Sequence, residues 1–253
     1  MIALLVALSR PPAVLLVGDS ITGQYGPAAA AALHHDGYDA VVRAYPGVGL
    51  LDRGPRIDAP AALRRDLGGR ARVVVAEFSG DYGIVDPPLP GVALGSAAFF
   101  AAWHAAVDSF TRQATASGAS LVWLLAPRPL RGDTTVSNRL ATGYDQVQGH
   151  GVNVLDPSSA VARYDRSGSL YAPDGRHLSA AGAKLVADLV AHDVEQHHSR
   201  WRLRLDELAH SASARALAAV AVVAIAASLG LLALRPSRTR WGRVHRAPVP
   251  APR

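Results

Sequence analysis

Cysteine is absent from the 253 residues. That removes disulfides, thiolate nucleophiles and Cys-ligated zinc, and leaves the redox compartment open. Lysine is reduced to Lys184, so nearly every basic residue is arginine. Beside the alanine-rich runs, this bias reads as genome composition more than as selection for guanidinium groups. The chain has no HExxH pair of metal-binding histidines, and no internal repeat. Acidic residues are missing altogether after Leu234, where Arg235, Arg238, Arg240, Arg243, Arg246 and Arg253 follow. Taking these six from the 26 basic residues leaves 20 against 20 acidic ones, so the net charge of +6 belongs to the tail. A nucleic-acid domain carries its charge on a folded face, so no nucleic-acid partner is expected.

What is present is ample apolar material, 49% of the residues, enough for one α/β domain and something extra. The extra is the run ALAAVAVVAIAASLGLLAL over 216–234, which holds no charge. As a helix it spans about 28 Å, close to a bilayer's hydrocarbon thickness, and no folded sequence follows that would cover it as a core helix. A transmembrane helix is therefore expected over 214–234, followed by a basic tail at 235–253 whose four prolines favour disorder. The six arginines behind the charge-free run 216–234 outnumber Arg200, Arg202, Arg204 and Arg215 in front of it. This favours a cytoplasmic tail and an extracytoplasmic body. The start, MIALLVALSRPP, has a short apolar stretch but neither a basic n-region nor a small-residue cleavage site. Residues 1–12 read as a lead-in to the first strand or as the remnant of an export segment whose true start lies upstream; the alternative is a cytoplasmic, tail-anchored body. Segment 199–213 places Trp201, Leu205 and Leu208 on one face and reads as an amphipathic stretch at the membrane.

Between these ends, 13–198 alternates strand and helix. Strands are expected over 13–17, 38–44, 71–78, 119–125 and 151–155, and helices over 21–35, 59–67 and 96–117. Ser96 is the N-cap of the long helix. Ser179 caps a last helix on which Leu185, Val186, Leu189, Val190 and Val194 form one buried face. Apolar strands alternating with helices predict a parallel sheet covered on both sides. In such a sheet ligands bind at the carboxyl ends of the strands. Four loops at that edge carry polar residues: Gly18-Asp19-Ser20, then Gly47 and Gly49 in AYPGVGL, then Ser79, Gly80 and Asp81 in FSGDYG, then Asp174 and His177 in YAPDGRHLS.

These residue types suit acyl transfer. A serine hydroxyl needs a neighbouring imidazole to take its proton, and the imidazole needs an acceptor to fix its tautomer. Asp174 and His177, three apart in a loop, meet that need. Backbone N–H groups of Ser20 and Gly47 are candidate oxyanion donors, and Ser20 sits at a helix N-terminus whose dipole favours negative charge.

The ordered set GDS, PGVGL and DGRHLS resembles the SGNH, or GDSL-type, hydrolases over about residues 13–195. That resemblance implies an α/β, flavodoxin-like three-layer sandwich with a five-stranded parallel sheet. It implies Ser20 as nucleophile, His177 as base and Asp174 as acid, with Gly47 (Gly49 as the alternative) donating to the oxyanion. Activity on esters follows, as hydrolysis or as O-acyl transfer, with no metal and no organic cofactor. One block departs: the family's Asn, whose amide completes the oxyanion hole, is replaced by Asp81. An ionised carboxylate only accepts hydrogen bonds. Three consequences are open: a protonated Asp81, a substitute donor such as Asn138, or weakened catalysis in a glycan-binding module.

Plainer readings compete at several positions. Ser20 can be a helix cap, and Asp81 a turn residue. His34-His35 and His197-His198 read as solvated pairs, since neighbouring histidines on a helix point apart. Arg128 and Arg131 read as solvent-facing although an anionic substrate group would suit them, and RGD at 131–133 carries no weight. Trp103 and Trp123 fit a core better than a ligand platform. A redox flavodoxin is disfavoured, because the first loop lacks a phosphate cradle and carries Asp19. The expected partners are a small-molecule or glycan ester and the membrane; nothing in the residues specifies an oligomeric state.

Overall fold

The computed structural model describes residues 11–51, 65–66, 71–78, 89, 91–128, 135–144, 147–148, 151–165 and 169–198. Five runs of branched apolar residues become strands: β1 (Ala13–Gly18), β2 (Asp39–Ala44), β3 (Ala71–Glu77), β4 (Ser120–Leu124) and β5 (Val152–Leu155). They form one sheet in the order β2-β1-β3-β4-β5, and every pairing is parallel.

Alternation along each strand sends side chains to opposite faces, and two cores result. Val14, Leu16, Val73, Val75, Val122 and Leu124 pack with Ile21, Tyr25, Leu33, Val186, Val190 and Val194. The first six come from the sheet; the others come from α1 (Ser20–His35) and the C-terminal helix Ala180–His197. Leu15, Val17, Val74, Ala76, Leu121 and Trp123 face the other way, onto Phe99, Phe100, Trp103, Val107 and Phe110 of α2 (Ala97–Ala116). The result is an α/β sandwich of three layers around a five-stranded parallel sheet, as expected. Trp103 and Trp123 are fully buried, as expected of core residues. The Trp123 indole N–H donates to Thr111 Oγ1 at 3.1 Å.

Two short helices were not anticipated: α3 (Thr135–Tyr144) and α4 (Ser158–Tyr164). The C-terminal helix is therefore α5. Ser96 and Ser179 cap α2 and α5, accepting from Phe99 N and Gly182 N. Of the helix expected over 59–67, only 65–66 are described, and they are helical. Among the described residues no helix is long and apolar enough to cross a membrane. Segments 199–213, 214–234 and 235–253 lie outside them, as do residues 1–10.

One histidine pair corrects the sequence reading. His198 is buried, not solvated, because the Tyr38 hydroxyl closes over the end of α5, donating to His198 O at 3.1 Å and to Glu195 Oε2 at 2.7 Å. Burial lowers the His198 pKa, partly opposed by the charge of Asp193. His34 and His35 are exposed as expected.

Candidate active site

The chain runs from β1 outward to β2 and then returns to β3 on the other side of β1. That reversal leaves a crevice beyond the carboxyl ends of β1 and β3, where open α/β sheets bind ligands. Ser20 stands at its mouth, as the first residue of α1.

The turn that presents Ser20 is built by its neighbours. Gly18 lies so close to β3 that a Cβ there would sit 2.0 Å from the Glu77 carbonyl oxygen and 2.2 Å from Thr22 Oγ1. Asp19 N donates to that same carbonyl at 3.2 Å. The helix cap is Asp19: its Oδ1 accepts from Ile21 N at 2.9 Å. The cap reading of Ser20 therefore gives way, and its hydroxyl is released for another bond. Beneath the turn, Thr22 Oγ1 donates to Glu77 Oε2 at 3.2 Å. Burial raises the pKa of the adjoining Tyr25 hydroxyl, helped by the charges of Glu77 and Asp19.

Ser20 Oγ lies 3.0 Å from His177 Nε2, across 157 positions of sequence. His177 Nδ1 lies 2.6 Å from Asp174 Oδ2. With Nδ1–H donating to the carboxylate, Nε2 of a neutral imidazole is left to accept from the serine hydroxyl. Asp174 Oδ1 also accepts from Arg176 N at 2.9 Å and His177 N at 3.0 Å. The His177 ring, followed by these two N–H groups, holds the Asp174 carboxyl well below the usual carboxylate range. Roughly half of each side chain reaches solvent, 39% for His177 and 47% for Asp174.

The loop holding this pair is fixed at both ends. Tyr171 and Leu178 form an antiparallel bridge, and Ala172 N donates to His177 O at 2.8 Å. Gly175 takes φ +69° between Asp174 and His177, a conformation that favours glycine. Gln24, which the sequence reading missed, ties the loop to the helix that begins at Ser20: its Oε1 accepts from Leu178 N at 2.9 Å. Its spacing of four from Ser20 on one helix face was the available signal.

Gly47 occupies a turn in which Val48 N donates to Tyr45 O at 3.1 Å, with φ +76° at Gly47. Tyr45 N donates to Gly18 O at 2.8 Å, which fastens this loop beside the turn that presents Ser20. Gly47 is exposed, whereas Gly49 is buried. The Tyr45 hydroxyl bonds Asp66, and burial with that carboxylate's bond and charge pushes its pKa up to about 12. Asp81, with Ser79 and Gly80, lies outside the described residues, as does Arg131 with the RGD triplet. Asn138 is on α3 and exposed. Arg128 is exposed, and its carbonyl accepts from the Tyr171 hydroxyl at 2.7 Å. Among the described residues no group of three or more His, Cys, Asp or Glu is placed to hold a metal ion.

No protein-family model and no curated protein matches the sequence; the likeness is to solved structures. A protein from Slackia heliotrinireducens, assigned as an SGNH hydrolase, superposes with a TM-score of 0.53 at 22% identity, covering 72% of this chain and 98% of its own. A lipase/acylhydrolase from Enterococcus faecalis gives a TM-score of 0.58 at 17% identity, over 73% of this chain and 96% of its own. The C-terminal catalytic domain of a peptidoglycan O-acetyltransferase from Streptococcus pneumoniae gives 0.51 at 16%, over 74% and 95%. The sandwich with its crevice at the β1–β3 step is thus the fold of the SGNH, or GDSL-type, hydrolases.

Proposed function

We propose that this chain is a membrane-anchored serine esterase, removing O-acyl groups from a glycan or lipid of the cell envelope. The carrying observation is the contact chain Ser20 Oγ to His177 Nε2 at 3.0 Å and His177 Nδ1 to Asp174 Oδ2 at 2.6 Å. In this reading Ser20 Oγ attacks the ester carbonyl while His177 Nε2 takes its proton. The carbonyl oxygen becomes an oxyanion, held by the N–H groups of Ser20 and Gly47. His177 returns the proton to the departing alkoxide, which leaves as the alcohol. Water then gives a proton to His177 and attacks the acyl-enzyme, and the carboxylic acid and free Ser20 are released. Asp174 stays ionised throughout and holds the imidazolium.

Helix 214–234 anchors the domain, with the body outside and the arginine tail at the cytoplasmic side; this rests on the charge-free run and the flanking arginines. A tethered body outside the cytoplasm meets envelope esters, and that sets the substrate class. The likeness to an O-acetyltransferase domain supports a second reading, in which a sugar hydroxyl replaces water at the acyl-enzyme.

A fluorophosphonate probe tests the nucleophile, since it reacts only with an activated serine. The wild type is labelled and hydrolyses p-nitrophenyl acetate, and Ser20→Ala does neither. Asp81→Asn restores an amide donor and raises the rate by about a hundredfold, the worth of one oxyanion donor. An unlabelled, folded wild type would refute the esterase reading.

A further inference from the structure

Four polar side chains are sealed beneath the turn that presents Ser20. Asp19, Thr22 and Glu77 are buried, and so is Tyr25, within the core shared by the sheet, α1 and α5. Glu77 ends β3, and the strand register sets it opposite Gly18 at the end of β1. It reaches the turn twice. Its carbonyl oxygen accepts from Asp19 N at 3.2 Å, and its Oε2 accepts from Thr22 Oγ1 at 3.2 Å. Asp19 precedes Ser20 by one position and Thr22 follows it by two, so one residue of β3 grips the chain on both sides of the serine. Tyr25, one turn further along α1, closes the cluster with its hydroxyl 3.5 Å from Thr22 Oγ1.

Helix formation alone does not require the Thr22–Glu77 bond. The first turn of α1 already has its cap in Asp19. A buried carboxyl–hydroxyl pair also adds little net stability, since replacing both partners by apolar groups of the same shape is often neutral or stabilising. What a sealed hydrogen bond does supply is direction. An apolar contact between Thr22 and β3 would let the start of α1 slide along the strand; a donor and an acceptor at one distance and one angle do not. Such a constraint is needed here. A reacting constellation is held to within about 0.5 Å, and the imidazole that meets Ser20 comes from 157 positions away.

We infer that Glu77 and Thr22 are a positioning pair, whose side-chain hydrogen bond sets Ser20 Oγ against His177 Nε2. Its effect on turnover rests on the esterase reading; its effect on the Ser20–His177 distance does not. The test compares Thr22→Val, which keeps the shape and loses the donor, with Thr22→Ser, which keeps the donor. Glu77→Met and the double variant Thr22→Val/Glu77→Met complete a cycle, all as full-length protein in detergent. Thr111→Val is the matched control: Thr111 is a buried threonine of α2, on the other side of the sheet, whose Oγ1 accepts from the Trp123 indole N–H at 3.1 Å. Urea unfolding, p-nitrophenyl acetate kinetics and the rate of fluorophosphonate labelling are read beside crystal structures of the wild type and Thr22→Val. Thr22→Val lowers kcat and the labelling rate by about tenfold to a hundredfold at unchanged KM, and Thr22→Ser restores both. Thr111→Val shows a similar loss in urea midpoint with full turnover. The double variant is no slower than Glu77→Met alone, because both substitutions break one bond. In the crystal of Thr22→Val the 3.0 Å contact opens by about 0.5 Å or more. An unmoved contact, full labelling of folded Thr22→Val, losses that multiply in the double variant, or an equal loss of turnover in Thr111→Val overturns the inference. The two Thr22 variants decide it should Glu77→Met fail to fold. A wild type that is never labelled, with a contact that still opens in Thr22→Val, upholds the positioning pair and refutes the esterase reading alone.

Discussion

Gly18→Ala tests whether the nucleophile is positioned by the close approach of β1 to β3. The added Cβ would sit 2.0 Å from Glu77 O and 2.2 Å from Thr22 Oγ1. An ordinary carbon–oxygen contact is well above 3 Å, so the two strands must part by about 1 Å or more. Both obstacles are buried and one is backbone, so neither swings aside. Overpacking of this kind costs about 1–3 kcal/mol. Moving Glu77 O also weakens its bond from Asp19 N, at 3.2 Å in the native turn, adding about 1 kcal/mol. A loss of about 3 kcal/mol is a large share of a domain's stability. At a urea slope of about 2 kcal/mol/M it lowers the unfolding midpoint by about 1.5 M. Because Ser20 is only two residues further on, a displacement of that size also lowers esterase turnover by about a hundredfold. Gly23→Ala is the matched control: it is an exposed helix glycine whose Cβ would meet only Ala44 Cβ, at 3.4 Å. It should leave stability equal or up to about 1 kcal/mol higher. Urea denaturation and p-nitrophenyl acetate kinetics on both variants decide the matter. A Gly18→Ala protein within about 0.5 kcal/mol of the wild type, with full turnover, would refute the reasoning.

Asp174→Asn should lower kcat by about 10³–10⁴-fold, because the imidazole loses the acceptor that fixes its tautomer. The same variant should alter acid stability. The folded pKa of Asp174 lies below its unfolded value of about 3.9, so its contribution is present above about pH 4 and fades as pH falls through the depressed folded value. Thermal melts of the wild type and Asp174→Asn should therefore differ most above pH 4 and converge in stronger acid. His198 acts in a higher window. Its folded pKa is lowered, so stability is full above about pH 6.5 and falls as the unfolded chain gains a proton below it; melts of His198→Phe between pH 7 and 5 should lack that decline. Gln24→Ala should reduce kcat several-fold with a small change in melting temperature, since it frees the base loop at Leu178 N but leaves the core intact; an unchanged kcat would remove Gln24 from the positioning role.

The elements legible in the sequence are those whose burial pattern is complete on their own. Strands β1, β3 and β4 are buried on both faces, so they read as unbroken apolar runs bounded by turns. Helices α2 and α5 announce themselves by Ser96 and Ser179 and by a one-sided apolar face. Helix α4, SSAVARY, has seven residues and one buried position, Val161, too little for a period to appear. Helix α3, TVSNRLATGY, is nearly balanced between apolar and polar residues, and its place is set by packing of Leu140 and Tyr144 under α2. The convergence of Ser20, Asp174 and His177 was legible because a carboxyl-edge loop is where polar residues accumulate. The division of labour at the first loop was not. Asp19 and Ser20 are both good caps, and only the direction of the Asp19 side chain shows that it takes the cap and releases Ser20. The burial of His198 was equally hidden, because Tyr38 covers it from a loop 160 positions away.

Ser20 and His177 come from opposite ends of the domain, and their 3.0 Å contact is held by more than the contact itself. Ser20 begins α1, and the base loop runs directly into α5. Those two helices pack on each other and share one core with the sheet, through Tyr25, Leu33, Val186, Val190 and Val194. Gly182 lets the start of α5 meet the base loop, since a Cβ there would lie 2.0 Å from Leu170 O. Gln24 then adds one direct bond from α1 to that loop, at Leu178 N. The distance between the reacting groups is thus a property of helix packing. A cavity made far from the crevice, by Val190→Ala between α1 and α5, acts on it through the same path. It removes about 1–3 kcal/mol of stability, and the slack it leaves in α5 reaches His177 before it reaches any substrate contact.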